Sequence, residues 1–192
     1  MTRGLTTLNS VQREQALAAL SPLVERSPWV AEAVVDLRPF ASDEALAEAL
    51  VEVILAAAPA RRRALFNVHP ELSGSEAAEG RMTAESTSEQ GRLGLTALPS
   101  GEAARLAALN TAYRARFGHP FIIALHRVPD RAALYQTFEQ RLRASPLEEH
   151  TTTLSEIASV IRARCRAAFG AAPEPTPNPS STCPQDSKEH SQ

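Results

Sequence analysis

His69 lies in the stretch Val68-His69-Pro70-Glu71-Leu72, just after the basic segment Pro59 to Phe66. Histidine titrates near neutrality, which suits it to general acid–base work. A following proline holds the preceding residue out of the helical region. The ring of His69 can therefore sit at a helix edge and face a cleft, or simply fill a turn. His119 is also followed by proline and shares that local logic. A second group is Glu85-Ser86-Thr87-Ser88-Glu89-Gln90. On a helix, Ser86, Glu89 and Gln90 fall at i, i+3 and i+4 and bring a hydroxyl, a carboxylate and an amide to one face. The same spacing also fits a capping box, with Ser86 at the cap and Glu89 at the third helical position.

A third group is Arg162, Arg164 and Arg166. Leu154, Ile157, Ile161, Cys165 and Ala168 form an apolar stripe roughly 80° wide on a helix that advances about 100° per residue. Arg164 lies roughly 60° from Ile161, whereas Arg162 and Arg166 lie roughly 100° and 140° away. Arg164 is the one drawn inward, toward an anionic ligand or a buried glutamate. The fourth stretch, Gly118-His119-Pro120-Phe121-Ile122-Ile123-Ala124-Leu125, is apolar and extended. Its main-chain groups could read a flat polar ligand, or it could be a plain core segment.

The elements that must position these groups are helical. Alanine, leucine, arginine and glutamate recur at helical spacing and β-branched alternation is scarce, which predicts an all-α fold, a compact single-domain bundle of about eight helices. Ser10 is placed to cap a helix running to about Leu20, and Pro22 and Pro28 suit the first turns of two short helices. Ser42 precedes a helix with Leu46, Leu50, Val53, Ile54 and Ala57 as its buried stripe, stopped by Pro59. A basic helix ends near His69, and residues 71–80 read as a polar loop. Thr83 or Ser86 opens a helix toward Leu98, weakened by Gly91 and Gly94. Ser100 opens another that Gly118 ends. Helices over 130–145 and from Pro146 to Phe169 complete a domain of residues 1–170. Residues 171–192 are rich in proline and serine and poor in apolar side chains, so a disordered tail is expected there.

Composition limits the function classes. With 192 residues and 43% hydrophobic content the chain can bury a sizeable core. A net charge of −2 carries no basic footprint, so nucleic acid is not an expected partner. No apolar run reaches membrane-spanning length, and the first residues lack a signal-peptide core. A cytoplasmic setting without membrane association follows as the default. Cys165 and Cys183 make no zinc-like set with the histidines, so no metal is expected. No cofactor motif is present.

Six stretches, in order, resemble the 2-oxo-4-hydroxy-4-carboxy-5-ureidoimidazoline (OHCU) decarboxylase family of urate degradation. They are Ser27-Pro28-Trp29, Arg38-Pro39-Phe40, His69-Pro70-Glu71-Leu72, Thr83 to Gln90, Leu109 to Ile122 and Glu156 to Cys165. The resemblance covers nearly the whole chain except the tail, and the spacing from His69 to Glu89 matches as well. It implies that His69 and Glu89 are catalytic. It also implies that Pro70, Ser86, Thr87, Ser88, Glu89, Gln90, Phe121, Ile122, Ile123, Ala124 and Leu125 contact a substrate, joined by an arginine of the last helix. The helical wheel prefers Arg164 for that arginine, with Arg162 left open. After Leu72 the chain departs from the family pattern, and no functional residue is carried over from 73–80.

The implied reaction is cofactor-independent decarboxylation of a small ureidoimidazoline to (S)-allantoin, by a homodimer. His69 would serve as acid and base. Glu89 would be its partner, holding its tautomer, or would bind the substrate hydroxyl. Two rivals stand beside this. One is a helical interaction module without catalysis; the other is an enzyme of the same fold acting on a different ureido compound.

Overall fold

A computed structural model describes residues 4–170, and the expected tail over 171–192 lies outside them. The described chain runs through α1 (Leu5–Ser10), α2 (Arg13–Leu20), a 3-10 turn (Ser21–Leu23), α3 (Pro28–Val34) and a second 3-10 turn (Val35–Leu37). It continues through α4 (Asp43–Ala56), α5 (Pro59–Asn67), α6 (Ser75–Ala78), α7 (Ala84–Arg92) and α8 (Ser100–Phe117). A 3-10 turn (Leu125–Arg127), α9 (Arg131–Arg141) and α10 (Pro146–Phe169) follow. The described residues form no strand, so the fold is all-α. Eight of these helices are those expected; the short helix expected at Pro22 is only the 3-10 turn Ser21–Leu23, and α1 and the single turn α6 are additions. No helix among the described residues is long and apolar enough to cross a membrane.

Local chemistry sets the helix ends. Ser42 Oγ accepts from Ala45 N at 3.1 Å and starts α4. Ser145 and Glu148 make a reciprocal capping box at the start of α10. Gly118 stops α8 at φ 76°, a left-handed backbone that glycine adopts without a Cβ clash.

Three expectations are corrected. Ser10 does not cap the helix that runs to Leu20, because it ends α1, and Val11 and Gln12 are extended before α2 begins at Arg13. The Arg38 guanidinium draws the break, donating to Leu8 O and Val11 O at 2.9 Å each and satisfying carbonyls that a helix end leaves unpaired. The 71–80 loop is not wholly irregular, since it holds α6. The helix opened by Thr83 stops at Arg92, because Gly94 takes φ 67° and turns the chain.

Two apolar cores share the molecule. The first joins α1 through α5 to α10, including Leu20, Val34, Leu50, Phe66, Ile161 and Cys165. The buried stripe of α4 is Leu46, Ala47, Leu50, Val51 and Ile54, with Val53 and Ala57 only partly covered. The second core gathers Leu106 and Tyr113 of α8, Leu134 and Phe138 of α9, and Phe121 and Leu125 of the connecting segment. Phe121 and Phe138 stack with ring centroids 3.8 Å apart. The long α10, packed along α4, reaches residues of both halves. A cleft opens where they meet.

Candidate active site

The cleft has an open volume of about 410 Å³, mouth included. Its polar lining is His69, Ser86, Glu89, Gln90 and Arg164; Pro70, Leu72, Phe121, Ile122, Ile123, Leu125 and Val160 supply the apolar walls. Four separate segments, remote in sequence, therefore converge on it.

His69 comes from the chain just past α5. Its Nδ1 lies 2.8 Å from Leu65 O. A carbonyl oxygen can only accept, so Nδ1 carries the proton and Nε2 of the neutral ring is left as the base. Burial pushes the ring down from 6.5 to about 4. The residue as a whole is half-buried and lines the cleft. At neutral pH it is an uncharged imidazole with a fixed tautomer.

The α7 helix presents the second group. Thr83, not Ser86, caps it, with Oγ1 accepting from Ser86 N at 3.3 Å. The capping-box alternative for Ser86 and Glu89 is thereby excluded. Ser86 and Gln90 are buried and Glu89 is half-buried, while Thr87 and Ser88 are exposed on the outer side. Thr87 Oγ1 donates back to Thr83 O at 2.8 Å. Neither Thr87 nor Ser88 reaches the cleft lining, because the i, i+3, i+4 face of one helix cannot include the residues between. Gln90 is also committed within the protein. Its Oε1 accepts from Ser73 N at 2.9 Å, and its Nε2 donates to Glu71 O at 3.3 Å, so it ties the chain after His69 to α7.

Arg164 points inward from α10, its side chain 9% exposed. Its Nε and Nη2 grip both oxygens of Glu89 at 2.8 and 3.0 Å. Nη1 and Nη2 also donate to Glu25 Oε2 at 3.4 and 3.3 Å, and Nη1 to Pro22 O at 3.2 Å. Every N–H of the guanidinium thus has a protein acceptor. Arg162 instead pairs with Glu48 on the surface at 3.0 Å. The role considered for Glu89, holding the His69 tautomer, belongs to Leu65 O; Glu89 is held by Arg164.

The segment 121–125 is fixed from behind. Arg141 Nη1 donates to Ile122 O at 2.7 Å, and Ala124 N donates to Glu156 Oε2 at 2.7 Å. Arg92 donates to Leu125 O, and to Val128 O at 2.6 Å. Arg141 is buried in a network with Glu149, Tyr113 and Thr153. Ala124 is buried and does not line the cleft.

Sequence reasoning missed Glu25, the Arg141–Glu149 pair, Glu156 and Arg92. Glu25, flanked by Val24 and Arg26, carries no sequence signal of its burial. Among the described residues His69 is the one histidine lining the cleft. His119 is buried against Phe66 and Tyr113, with Nδ1 facing Pro120 O at 2.9 Å. His126 is exposed, and His150 packs beside Phe66.

A family profile described as OHCU decarboxylase matches residues 9–166. Among similar proteins, a 2-oxo-4-hydroxy-4-carboxy-5-ureidoimidazoline decarboxylase of Amia calva is 34% identical over 157 residues, 82% of this chain and 89% of that one. A putative enzyme of the same name from Homo sapiens is 37% identical over 153 residues, 80% of this chain and 88% of that one. The fold is similar to a crystal structure of (S)-allantoin synthase, with TM-score 0.68 and 22% identity over 86% of this chain and 54% of that one. It is also similar to a crystal structure of OHCU decarboxylase in the presence of (S)-allantoin, with TM-score 0.62 and 15% identity over 84% of this chain and all of that one. With nearly the whole described chain inside the matched region, the protein belongs to the OHCU decarboxylase family.

Proposed function

We propose that the protein decarboxylates 2-oxo-4-hydroxy-4-carboxy-5-ureidoimidazoline to (S)-allantoin and CO₂ in urate degradation, with no cofactor. The observation that carries this for the residues is His69, a neutral base of fixed tautomer facing a cleft it shares with Glu89 and Arg164. The relatives' shared name carries it for the substrate.

The substrate has a ring carbon bearing both a carboxylate and a hydroxyl, beside a carbon in a C=N bond. When the bond to the carboxylate breaks, its electron pair forms a C=C bond and the C=N pair moves onto nitrogen. CO₂ leaves, and an enol remains. One proton is taken up overall: the ring nitrogen and the neighbouring carbon each gain one, and the hydroxyl gives one up as it becomes a ketone. The ring's own C=N bond is the electron sink.

His69 Nε2 takes the hydroxyl proton and, as imidazolium, returns a proton to the neighbouring carbon from one side. Burial favours this second step, because a ring that resists charge gives up its proton readily. Glu89 accepts a hydrogen bond from the substrate hydroxyl or ureido group. Arg164 fixes Glu89 and offsets its charge, and it touches the substrate carboxylate only by exchanging one of its present bonds. Ile123, between the anchored Ile122 and Ala124, offers its peptide groups to the ring. The resemblance also carries a homodimer, which light scattering on purified protein tests.

The deciding experiment generates the unstable substrate in situ from urate with the upstream enzymes. Chiral allantoin is then followed by circular dichroism. Acceleration with a single enantiomer as product is expected. A rate equal to spontaneous decay removes the decarboxylase assignment.

A further inference from the structure

Glu25 is 3% exposed and does not line the cleft. It nevertheless touches two residues that do. Ser86 Oγ donates to Glu25 Oε2 at 2.8 Å, and the Arg164 Nη atoms lie 3.3 and 3.4 Å from the same oxygen. Thr83 Oγ1, at the cap of α7, donates to the carboxylate at 3.1 Å. One buried carboxylate thus binds the start of α7 to α10. Burying such a group is costly unless it is paired and hydrogen-bonded, and here four donor atoms from three residues meet it, most of them at Oε2.

The backbone beside it points the same way. Arg26, the next residue, has φ 41°, a left-handed conformation that a non-glycine residue adopts at a steric cost. Arg26 is held there by Glu76 at 2.8 Å and by Arg81 O at 2.6 Å. The chain is bent where Glu25 turns inward, and strain of that kind persists where surrounding contacts fix it.

We propose that Glu25 is a positioning residue that sets the hydrogen-bond polarity of the cleft, making Ser86 an acceptor toward ligand and keeping Arg164 on Glu89. This rests on the decarboxylase reading only for the identity of the ligand. A serine hydroxyl has one proton and two lone pairs. Ser86 gives its proton to Glu25, so only lone pairs face the cleft, and the ligand group it meets is an N–H or O–H donor. The ureido and ring N–H groups of the proposed substrate are of that kind. A ligand presenting a carbonyl at that place would meet lone pair against lone pair and be rejected. Arg164 is governed in the same way, since the second carboxylate behind it holds the guanidinium in the plane that grips Glu89 with two parallel bonds.

Two measurements test this on the full-length protein. The first needs no ligand: proton NMR of the wild type should show a slowly exchanging hydroxyl proton that vanishes in S86A and shifts in E25Q, where a neutral amide oxygen replaces the carboxylate. S86A identifies the resonance even if E25Q fails to fold. No such proton in the wild type overturns the proposal. The second is a double-mutant cycle on turnover. Glu25→Gln and Ser86→Ala should each raise KM about tenfold, as expected for one hydrogen bond, with a smaller change in kcat. The double variant should be no worse than either single one. Losses that multiply, or a fall in stability with KM unchanged, mean that Glu25 is only structural. A wild type that shows the protected proton but does not turn over the substrate would count against the decarboxylase reading alone.

Discussion

His69 Nδ1 and the carbonyl oxygen of Leu65 are 2.8 Å apart, one helical turn from each other in sequence. The contact uses a carbonyl that the end of α5 leaves without a helical partner. It therefore closes the helix and fixes the imidazole tautomer at once. Proline at 70 prevents the helix from continuing and taking that carbonyl itself.

The first prediction concerns that ring. His69→Ala should lower kcat by at least about 100-fold, the usual scale of acid–base catalysis. Far-ultraviolet circular dichroism should stay as in the wild type, since α5 ends before this residue. Turnover near the wild-type rate would remove His69 from the chemistry.

The second concerns pH. Burial lowers the folded-state value of His69 from 6.5 to about 4. As pH falls below 6.5 the unfolded chain binds this proton first. The contribution of His69 to stability is therefore complete above about 6.5 and is lost as pH falls toward 4. Urea midpoints at pH 7 and pH 5 should drop more for the wild type than for His69→Ala. The acid limb of kcat/KM due to His69 should lie near the folded value, well below the ordinary histidine range.

Much of this arrangement was legible in the sequence, and the limits have physical causes. The α4 and α10 helices were readable because capping serines and apolar periodicity agree, and Arg164 was placed inward from angle alone. Residue type and spacing bring His69, Glu89 and Gln90 forward, but it is the family resemblance that sets His69 apart from His119 and Glu89 apart from a helix cap. Thr87 and Ser88 were carried along with them, although helical geometry turns them outward. The break at Val11 was not legible, because the group that draws it, Arg38, is remote in sequence. Glu25 and the Arg141–Glu149 pair were missed for a related reason. A buried ion pair is recognised only once both partners are seen together, and each half alone looks like an ordinary surface charge.

The third prediction addresses that buried pair. Arg141 and Glu149 are 7% and 1% exposed, and Arg141 also holds Ile122 O. Arg141→Met leaves Glu149 buried with its charge uncompensated. A loss of about 3–5 kcal/mol is expected in urea unfolding. Arg141→Met combined with Glu149→Leu should recover part of that stability but not the activity, because the anchor of Ile122 is still missing. Full recovery of turnover would separate that anchor from function.

The fourth separates catalysis from helix stability at Glu89. Thr83 caps α7, and the Glu89 side chain is 32% exposed. Glu89→Gln keeps the size and one hydrogen bond to Arg164, which retains Glu25 as its counter-charge. Stability should fall by no more than about 1 kcal/mol, the range for partly exposed pairs, while kcat falls at least about 100-fold. Ser42→Ala provides the opposite case. It removes the α4 cap, far from the cleft lining, and should cost about 1 kcal/mol with kcat/KM unchanged. If Glu89→Gln instead behaves like Ser42→Ala, losing stability and keeping turnover, then Glu89 serves the fold rather than the reaction.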